Sequence, residues 1–330
     1  MKPVKVAYIT SQIVGVPYTY CVIMKKLGIE TVLYRRKIKN KGYGAESGNP
    51  QDVDVRYLNE NPILRYIQII KINNEYDILH LHDAGGKLEA IFCGFGKAKI
   101  IYHFHGSAIR EGATNFTFLT LIKKMYWKHI GIYSKVLVST EDLLPHWKGS
   151  ELILDPIDRE LLYVHRNQNT EQPYILSPHW CDDGVKGTFM VFTAWDLLKT
   201  KFTNFKLHVI NWGKDAPYYK NQTKDDDTVV WHDLLPRPDF LKLMAGATVS
   251  WGEFIIPAYG LTEIEAFTIG VPDVSDPDIT EVELAEYTEK LILDDNLRSA
   301  VIDKQKQIIL KYDSDIISKR MFDIYMSVLA

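Results

Sequence analysis

The run AYGLTEIEAFTIGVPDV (258–274) is the stretch best equipped to hold a phosphate ester. Tyr259-Gly260 makes a turn, Leu261 or Thr262 opens a helix, and Gly270-Val271-Pro272 closes it. A helix N-terminus offers N–H groups with no partner in the helix and a partial positive charge, which suits a pyrophosphate. Glu265 falls one turn into that helix, where a carboxylate can accept two hydrogen bonds from a ribose diol. The plainer alternative for the same residues is an amphipathic helix with a solvated Glu. Near the start, TSQIVGVPY (10–18) joins a strand to a helix. Gly15 at that turn lets the backbone approach a phosphate, or is simply a turn glycine. The ten histidines show no metal-ligand spacing, and Asp225-Asp226-Asp227 reads as a solvated loop. No metal and no cofactor is therefore expected.

The pattern (Phe/Tyr)-Gly-Leu-x-x-x-Glu-Ala followed by Gly-x-Pro resembles the donor signature of the large retaining GT-B glycosyltransferase family that includes sucrose synthase and many bacterial and archaeal mannosyltransferases. The resemblance implies that Tyr259, Gly260, Leu261 and Thr262 belong to the donor site. Glu265 matches the second Glu of the family's Glu-x7-Glu pair, which binds the donor ribose. The first Glu, which contacts the transferred sugar, would fall on Pro257; Glu253 on the same loop is either its substitute or a solvated carboxylate.

SPHWCDDGVKGTF (177–189) resembles the family's Arg-x5-Lys-Gly segment, whose two cations grip the diphosphate. Lys186 is the matching Lys, a point charge on phosphate. Trp180 stands where the Arg should be, and His179 beside it would offer a weaker, pH-dependent bond. By the same resemblance Gly15 faces the donor across a cleft. His105 in YHFHGSAIRE (102–111) would sit at the reacting sugar, with Arg110 near an acceptor. His82 and Asp83 in DILHLHDAGG (77–86) would lie on the acceptor side. His103 is taken as a core histidine facing away from His105. ILDPIDREL (153–161) resembles the segment that closes the family's first domain, with Asp155 replacing an Asn.

Such residues act only if they stand at the ends of strands. Short runs rich in Val, Ile and Tyr alternate with segments of helical period, the mark of βαβ units and parallel sheets. Strands are expected at 4–10, 30–35, 77–82, 98–104, 135–139 and 151–155, then again at 173–177, 205–211, 228–232, 247–251 and 271–274. Helices are expected at 15–27, 62–73, 86–95, 115–131, 187–201, 236–245 and 261–269, with helix alone from about Ile279 onward. The polar stretch 165–172 is the linker between an acceptor domain, 1–168, and a donor domain, 169–330; the last helix has the option of packing back on the first. The expected fold is α/β, a GT-B arrangement of two doubly wound Rossmann-like domains with a cleft between them.

At 330 residues with 46% hydrophobic and 25% charged, the chain belongs to the globular class and has material for two cores. No apolar run approaches the ~20 residues that cross a bilayer. The start MKPVKVAYIT lacks a signal-peptide core, and Cys21, Cys93 and Cys181 lie far apart, so a cytoplasmic setting is expected. There is no Gly-x-Gly-x-x-Gly after the first strand and no RNA-binding module, which disfavours a dinucleotide oxidoreductase and a nucleic-acid partner.

The net charge of -3 hides a division. Residues 1–170 hold 23 Lys/Arg against 16 Asp/Glu, while 171–330 hold 16 against 26. An anionic or membrane-surface acceptor is one reading of the basic half, through Arg35, Arg36 and Lys37 and through Lys124 and Lys128 on a helix with an apolar face. The expected function is a retaining, metal-independent transfer from a nucleotide-diphosphate sugar to a glycan, lipid or other hydroxyl acceptor. The alternatives are a GT-B epimerase or inverting transferase, and a non-catalytic relative that binds a nucleotide-sugar or glycan.

Overall fold

The computed structural model describes residues 3–10, 15–36, 53–82, 96–106, 134–157 and 172–330. It divides into two compact units, Met1–Asp158 with Tyr312–Ala330, and Arg159–Lys311.

In the first unit β1 (Lys5–Thr10), β2 (Glu30–Arg36), β3 (Asp54–Leu58), β4 (Ile78–His82), β5 (Lys99–Phe104), β6 (Lys135–Val138) and β7 (Glu151–Leu152) form one sheet. All pairs are parallel, in the order β3-β2-β1-β4-β5-β6-β7. The order reverses between β1 and β4, the switch point at which doubly wound sheets present strand ends to ligands. Every residue of β4 is buried, as a central parallel strand requires. β3 buries only Leu58 of its five residues; it was not expected from the sequence, because an exposed edge strand lacks the apolar pattern that marks the others.

The period of two sorts this sheet into two faces. Ala7, Ile9, Leu79, Leu81, Ile100, Tyr102 and Phe104 share one apolar core. Tyr8, His80, His82 and His103 take the alternate positions. Helices α1 (Val16–Lys26) and α2 (Pro62–Glu75) follow the first and third strands. Pro62 occupies the first turn of α2, and Asn61 caps it by accepting from the N–H groups of Ile63 and Leu64.

The second unit repeats the scheme with β8 (Tyr174–Ser177), β9 (Lys206–Ile210), β10 (Val229–His232), β11 (Val249–Trp251) and β12 (Asp273–Val274), all parallel in the order β10-β9-β8-β11-β12. Its switch point lies between β8 and β11. The helices are α3 (Thr188–Leu198), α4 (Ala216–Gln222), α5 (Arg237–Gly246), α6 (Leu261–Ile269), α7 (Glu281–Leu293) and α8 (Asp295–Ile309). Trp195, Leu207, Val249, Trp251 and Leu284 pack one face of the sheet, and Tyr174, Leu176, Leu241, Met244 and Ala266 pack the other. A capping box between Thr280 and Glu283 starts α7.

The final helix, α9 (Ser314–Leu329), returns to the first unit. Ile157 donates its N–H to the Tyr312 carbonyl at 3.1 Å, and Met321 and Tyr325 are fully buried. Among the described residues no helix is long and apolar enough to cross a membrane. The expected linker, 165–172, and the expected helices 86–95 and 115–131 fall wholly or almost wholly outside the described residues.

Candidate functional site

At the switch point of the second unit, two loops each lead from a strand into a helix. The first, 178–187, is tied by one of its own side chains and by two from outside it. Asp182 accepts from the Val185 N–H at 3.0 Å, Thr188 Oγ accepts from the Asp182 N–H at 2.7 Å, and Asp215 accepts from the Asp183 N–H at 2.8 Å. Gly187 closes this loop at φ 68, in the left-handed region, and any Cβ there would stand 3.1 Å from the Phe254 side chain. The preceding Lys186 is held at the mouth of α3.

The second loop, 252–260, brings Glu253 to Lys186. The two form an ion pair, with Lys186 16% and Glu253 7% exposed at the side chain. Glu253 is thus a buried, paired carboxylate and not a solvated one. Its backbone N–H donates to Glu263 Oε1 at 2.9 Å, and the same carboxylate accepts from His179 Nε2 at 2.8 Å. Thr262 Oγ lies 3.2 Å from His179 Nδ1 and 3.1 Å from Glu263 Oε2. Glu263, fully buried in the first turn of α6, therefore fastens both loops to one helix. Gly260 leaves the room for this, since a Cβ there would stand 2.9 Å from Glu263 Oε2 and 3.2 Å from Glu253 Oε1. Gly260, as the N-cap of α6, supplies no capping side chain of its own.

Glu265, 1% exposed, is gripped by Arg237 at the start of α5. Arg237 Nη1 donates to Oε2 at 2.9 Å while Nη2 contacts Oε1. A bidentate fork uses two of the roughly four acceptor directions of a carboxylate and leaves the others for a diol.

Electrostatics separate the acids of this cluster. Burial would raise Glu263, but His179, Lys186 and backbone N–H groups outweigh it and hold the carboxyl well below the usual range. Asp273, also buried, is pushed up by burial and then by the charge of Glu263. Burial pulls His179 below the ordinary histidine value despite Glu263. His179 Nε2–H donates to an ionised Glu263.

In the first unit four histidines come together at the ends of β4 and β5. His82 Nδ1 lies 2.7 Å from His105 Nε2, and His105 Nδ1 lies 2.9 Å from Asp155 Oδ1. His80 Nδ1 lies 2.7 Å from the Tyr325 hydroxyl, which lies 2.9 Å from that of Tyr8. His103, though in the core as expected, does not face away from His105: the rings are 4.4 Å apart between centroids. Residues two apart on a strand share a face, so the expected opposition of the two was wrong. Histidines without a metal-ligand spacing in the sequence thus become neighbours in space, because pairing sets His82 beside His103.

The structure therefore brings together Lys186, His179, Tyr259, Gly260, Leu261, Thr262 and Glu265 around the second switch point, and His82 with His105 in the first unit. The Tyr259 ring stands edge-on against Phe267 at 5.1 Å. Gly15 is the N-cap of α1 at φ -66, a conformation that does not demand glycine. Arg35, at the end of β2, stacks on Tyr57 and donates to its hydroxyl at 3.1 Å; Arg36 ends the same strand. Asp83, Arg110, Lys37, Lys124 and Lys128 lie outside the described residues. Glu263 and Arg237 were missed: an acidic residue in a helix's first turn and an Arg after a proline carry no motif of their own.

No family model and no curated protein matches this sequence. Solved structures do match over nearly all of it. Sucrose-phosphate synthase from Thermosynechococcus elongatus is 12% identical with a TM-score of 0.72, covering 98% of this chain and 99% of that one. An alpha-glucosyltransferase in complex with UDP-glucose and DNA is 12% identical with a TM-score of 0.68, covering 98% and 99%. WaaG, a glycosyltransferase involved in lipopolysaccharide biosynthesis, is 15% identical with a TM-score of 0.64, covering 97% and 99%. The chain has the GT-B fold of these glycosyltransferases, as the sequence led us to expect.

Proposed function

We propose that this chain is a glycosyltransferase that takes a sugar from a nucleoside-diphosphate sugar held by its second unit and passes it to a hydroxyl acceptor. The observation that supports this most is the placement of Lys186 and Glu253 on the two loops at the β8–β11 switch point, with Glu265 in the helix that follows the second. Doubly wound sheets bind ligands there, and solved structures with this fold include one holding UDP-glucose.

Transfer breaks the bond from the anomeric carbon to the diphosphate oxygen, which leaves with the electron pair. A bond forms from the acceptor oxygen, whose proton passes to the departing phosphate. The protein's part is electrostatic stabilisation and positioning. Lys186 meets the diphosphate as a point charge, assisted by the N-terminus of α6. Glu265 accepts from the ribose hydroxyls. Glu253 beside Lys186 takes the sugar-contacting role that Pro257 cannot fill. The reaction retains configuration and needs no divalent metal at the diphosphate. The acceptor is a glycan, lipid or other hydroxyl compound and not a nucleic acid.

The test is a thermal-shift panel of nucleoside diphosphates, since a ligand of the native state alone raises its stability, followed by turnover of the matching sugar donors. Release of the diphosphate with an acceptor glycosylated in the donor's anomeric configuration, read by NMR, supports the proposal. Inversion, epimerisation of the donor without an acceptor, or binding without turnover each overturns it in favour of a named alternative.

A further inference from the structure

The histidines at the ends of β4 and β5 hold more than the proposed transfer uses. His80, His82 and His103 are buried, at 0%, 1% and 0% exposure. Each spends one ring nitrogen on an anchor. His80 Nδ1 meets the Tyr325 hydroxyl at 2.7 Å, His82 Nδ1 meets His105 at 2.7 Å, and His103 Nε2 meets the Ile153 carbonyl at 3.3 Å. The other nitrogen of each ring, Nε2 of His80, Nε2 of His82 and Nδ1 of His103, is buried with no hydrogen-bond partner among the described residues.

The anchors dictate where the protons are. A carbonyl only accepts, so the proton of His103 sits on Nε2 and Nδ1 carries a bare lone pair. The Asp155 carboxylate, 2.9 Å away, favours the proton of His105 on Nδ1. With that tautomer His82 Nδ1–H donates to His105 Nε2, and His82 Nε2 is bare as well. His80 reaches the same state when Nδ1–H donates to Tyr325 and Tyr325 donates to Tyr8. A buried polar atom left unmatched costs about 1–3 kcal/mol, and among the described residues three such imidazole nitrogens are gathered in one place.

We propose that His80, His82 and His103 bind a divalent transition-metal ion of the zinc class, tying β4 to β5 inside the first unit. The three rings offer one nitrogen apiece within 4.8 Å of one another. Zinc bonds to nitrogen of about 2.0–2.1 Å put tetrahedral ligands roughly 3.4 Å apart, so the rings close on the ion by about 1.4 Å or less. Three neutral imidazoles without a carboxylate select zinc and its neighbours over magnesium, calcium or manganese, which prefer oxygen. Tyr325, the His105–Asp155 pair and the Ile153 carbonyl are the outer partners that fix ring orientation in such sites. Burial pushes all three ligands below the ordinary histidine value, the direction that favours the coordinating form. The site is independent of the donor reading, because none of its three ligands takes part in that reading's diphosphate or ribose contacts.

The full chain without a polyhistidine tag, purified from zinc-supplemented medium, should carry about one zinc per chain by elemental analysis. Chelator-stripped protein should take up cobalt(II) with the visible absorption of a tetrahedral site, and its melting temperature should rise with added zinc. His103→Asn and His80→Gln should each lose the cobalt signal, while His146→Gln, outside the cluster, keeps it. The inference is overturned by folded wild type that holds no zinc and gives no cobalt spectrum. It is equally overturned if zinc uptake survives in a folded His80→Gln/His103→Asn double variant. Glycosyl transfer enters neither readout, so the two proposals fail separately.

Discussion

Replacing Glu265 by Gln separates a ligand-binding carboxylate from a merely structural one. The side chain is 1% exposed and gripped by Arg237, whose own side chain is 22% exposed. Breaking a buried pair from one side costs about 3–5 kcal/mol, but Arg237 retains access to water, so about 1–3 kcal/mol of stability is expected to go. Binding should suffer separately. A ribose diol gives a carboxylate two charge-assisted hydrogen bonds, and losing their ionic character should cost about 2–4 kcal/mol, or one to three decades in Kd. Calorimetric titration with the nucleoside diphosphate that shifts melting most would measure it, with circular dichroism confirming the fold. Arg237→Gln is the control, since it should lower stability by a similar amount while leaving more of the affinity. A folded Glu265→Gln protein with wild-type affinity would reduce Glu265 to a partner of Arg237.

Three further outcomes are expected. Lys186→Ala should lower turnover by roughly 10²-fold, the order seen when an electrostatic donor is removed, while brief EDTA treatment leaves wild-type turnover intact; activity lost to EDTA and restored by manganese would reverse this view. Burial holds His80, His82 and His103 well below the ordinary value, so the unfolded chain takes up protons first as pH falls below about 6.5; stability is then full above that pH and declines below it by up to about 4 kcal/mol per pH unit for three rings. Urea titrations of metal-free protein between neutral and mildly acidic pH would show it, and a flat profile would refute it. Co-sedimentation with anionic vesicles should occur at low salt, fade as salt rises and weaken when Arg35, Arg36 and Lys37 become Ser; wild type left in the supernatant at low salt would point to a soluble acceptor.

Much of the architecture was legible because punctuation and periodicity agree. Gly260 and Gly270 bracket α6, and Gly270 takes φ 88 at its C-cap, so the expected 261–269 coincides with the helix found. β3 and α4 escaped notice, the first as an exposed edge and the second as a seven-residue helix with two buried residues. Lys186 and Glu265 could be found because they carry a motif. Their partners could not: Glu253 reaches Lys186 from 67 residues away, and Arg237 reaches Glu265 from 28. The histidine cluster had a signal, His-x-His at 80–82 and again at 103–105. Its meaning waited on strand pairing, which no linear spacing contains.

The return of α9 to the first unit has a consequence for how the protein is made. The hydroxyl of Tyr325, which bridges Tyr8 and His80, leaves the ribosome more than 240 residues after either partner. Domains of a growing chain usually fold in the order they emerge. Here the first unit to appear cannot close its core until the second has been translated, whereas residues 159–311 emerge without interruption. The nascent first sheet must therefore persist with one face covered only in part, by α1, and the second unit is placed to finish first.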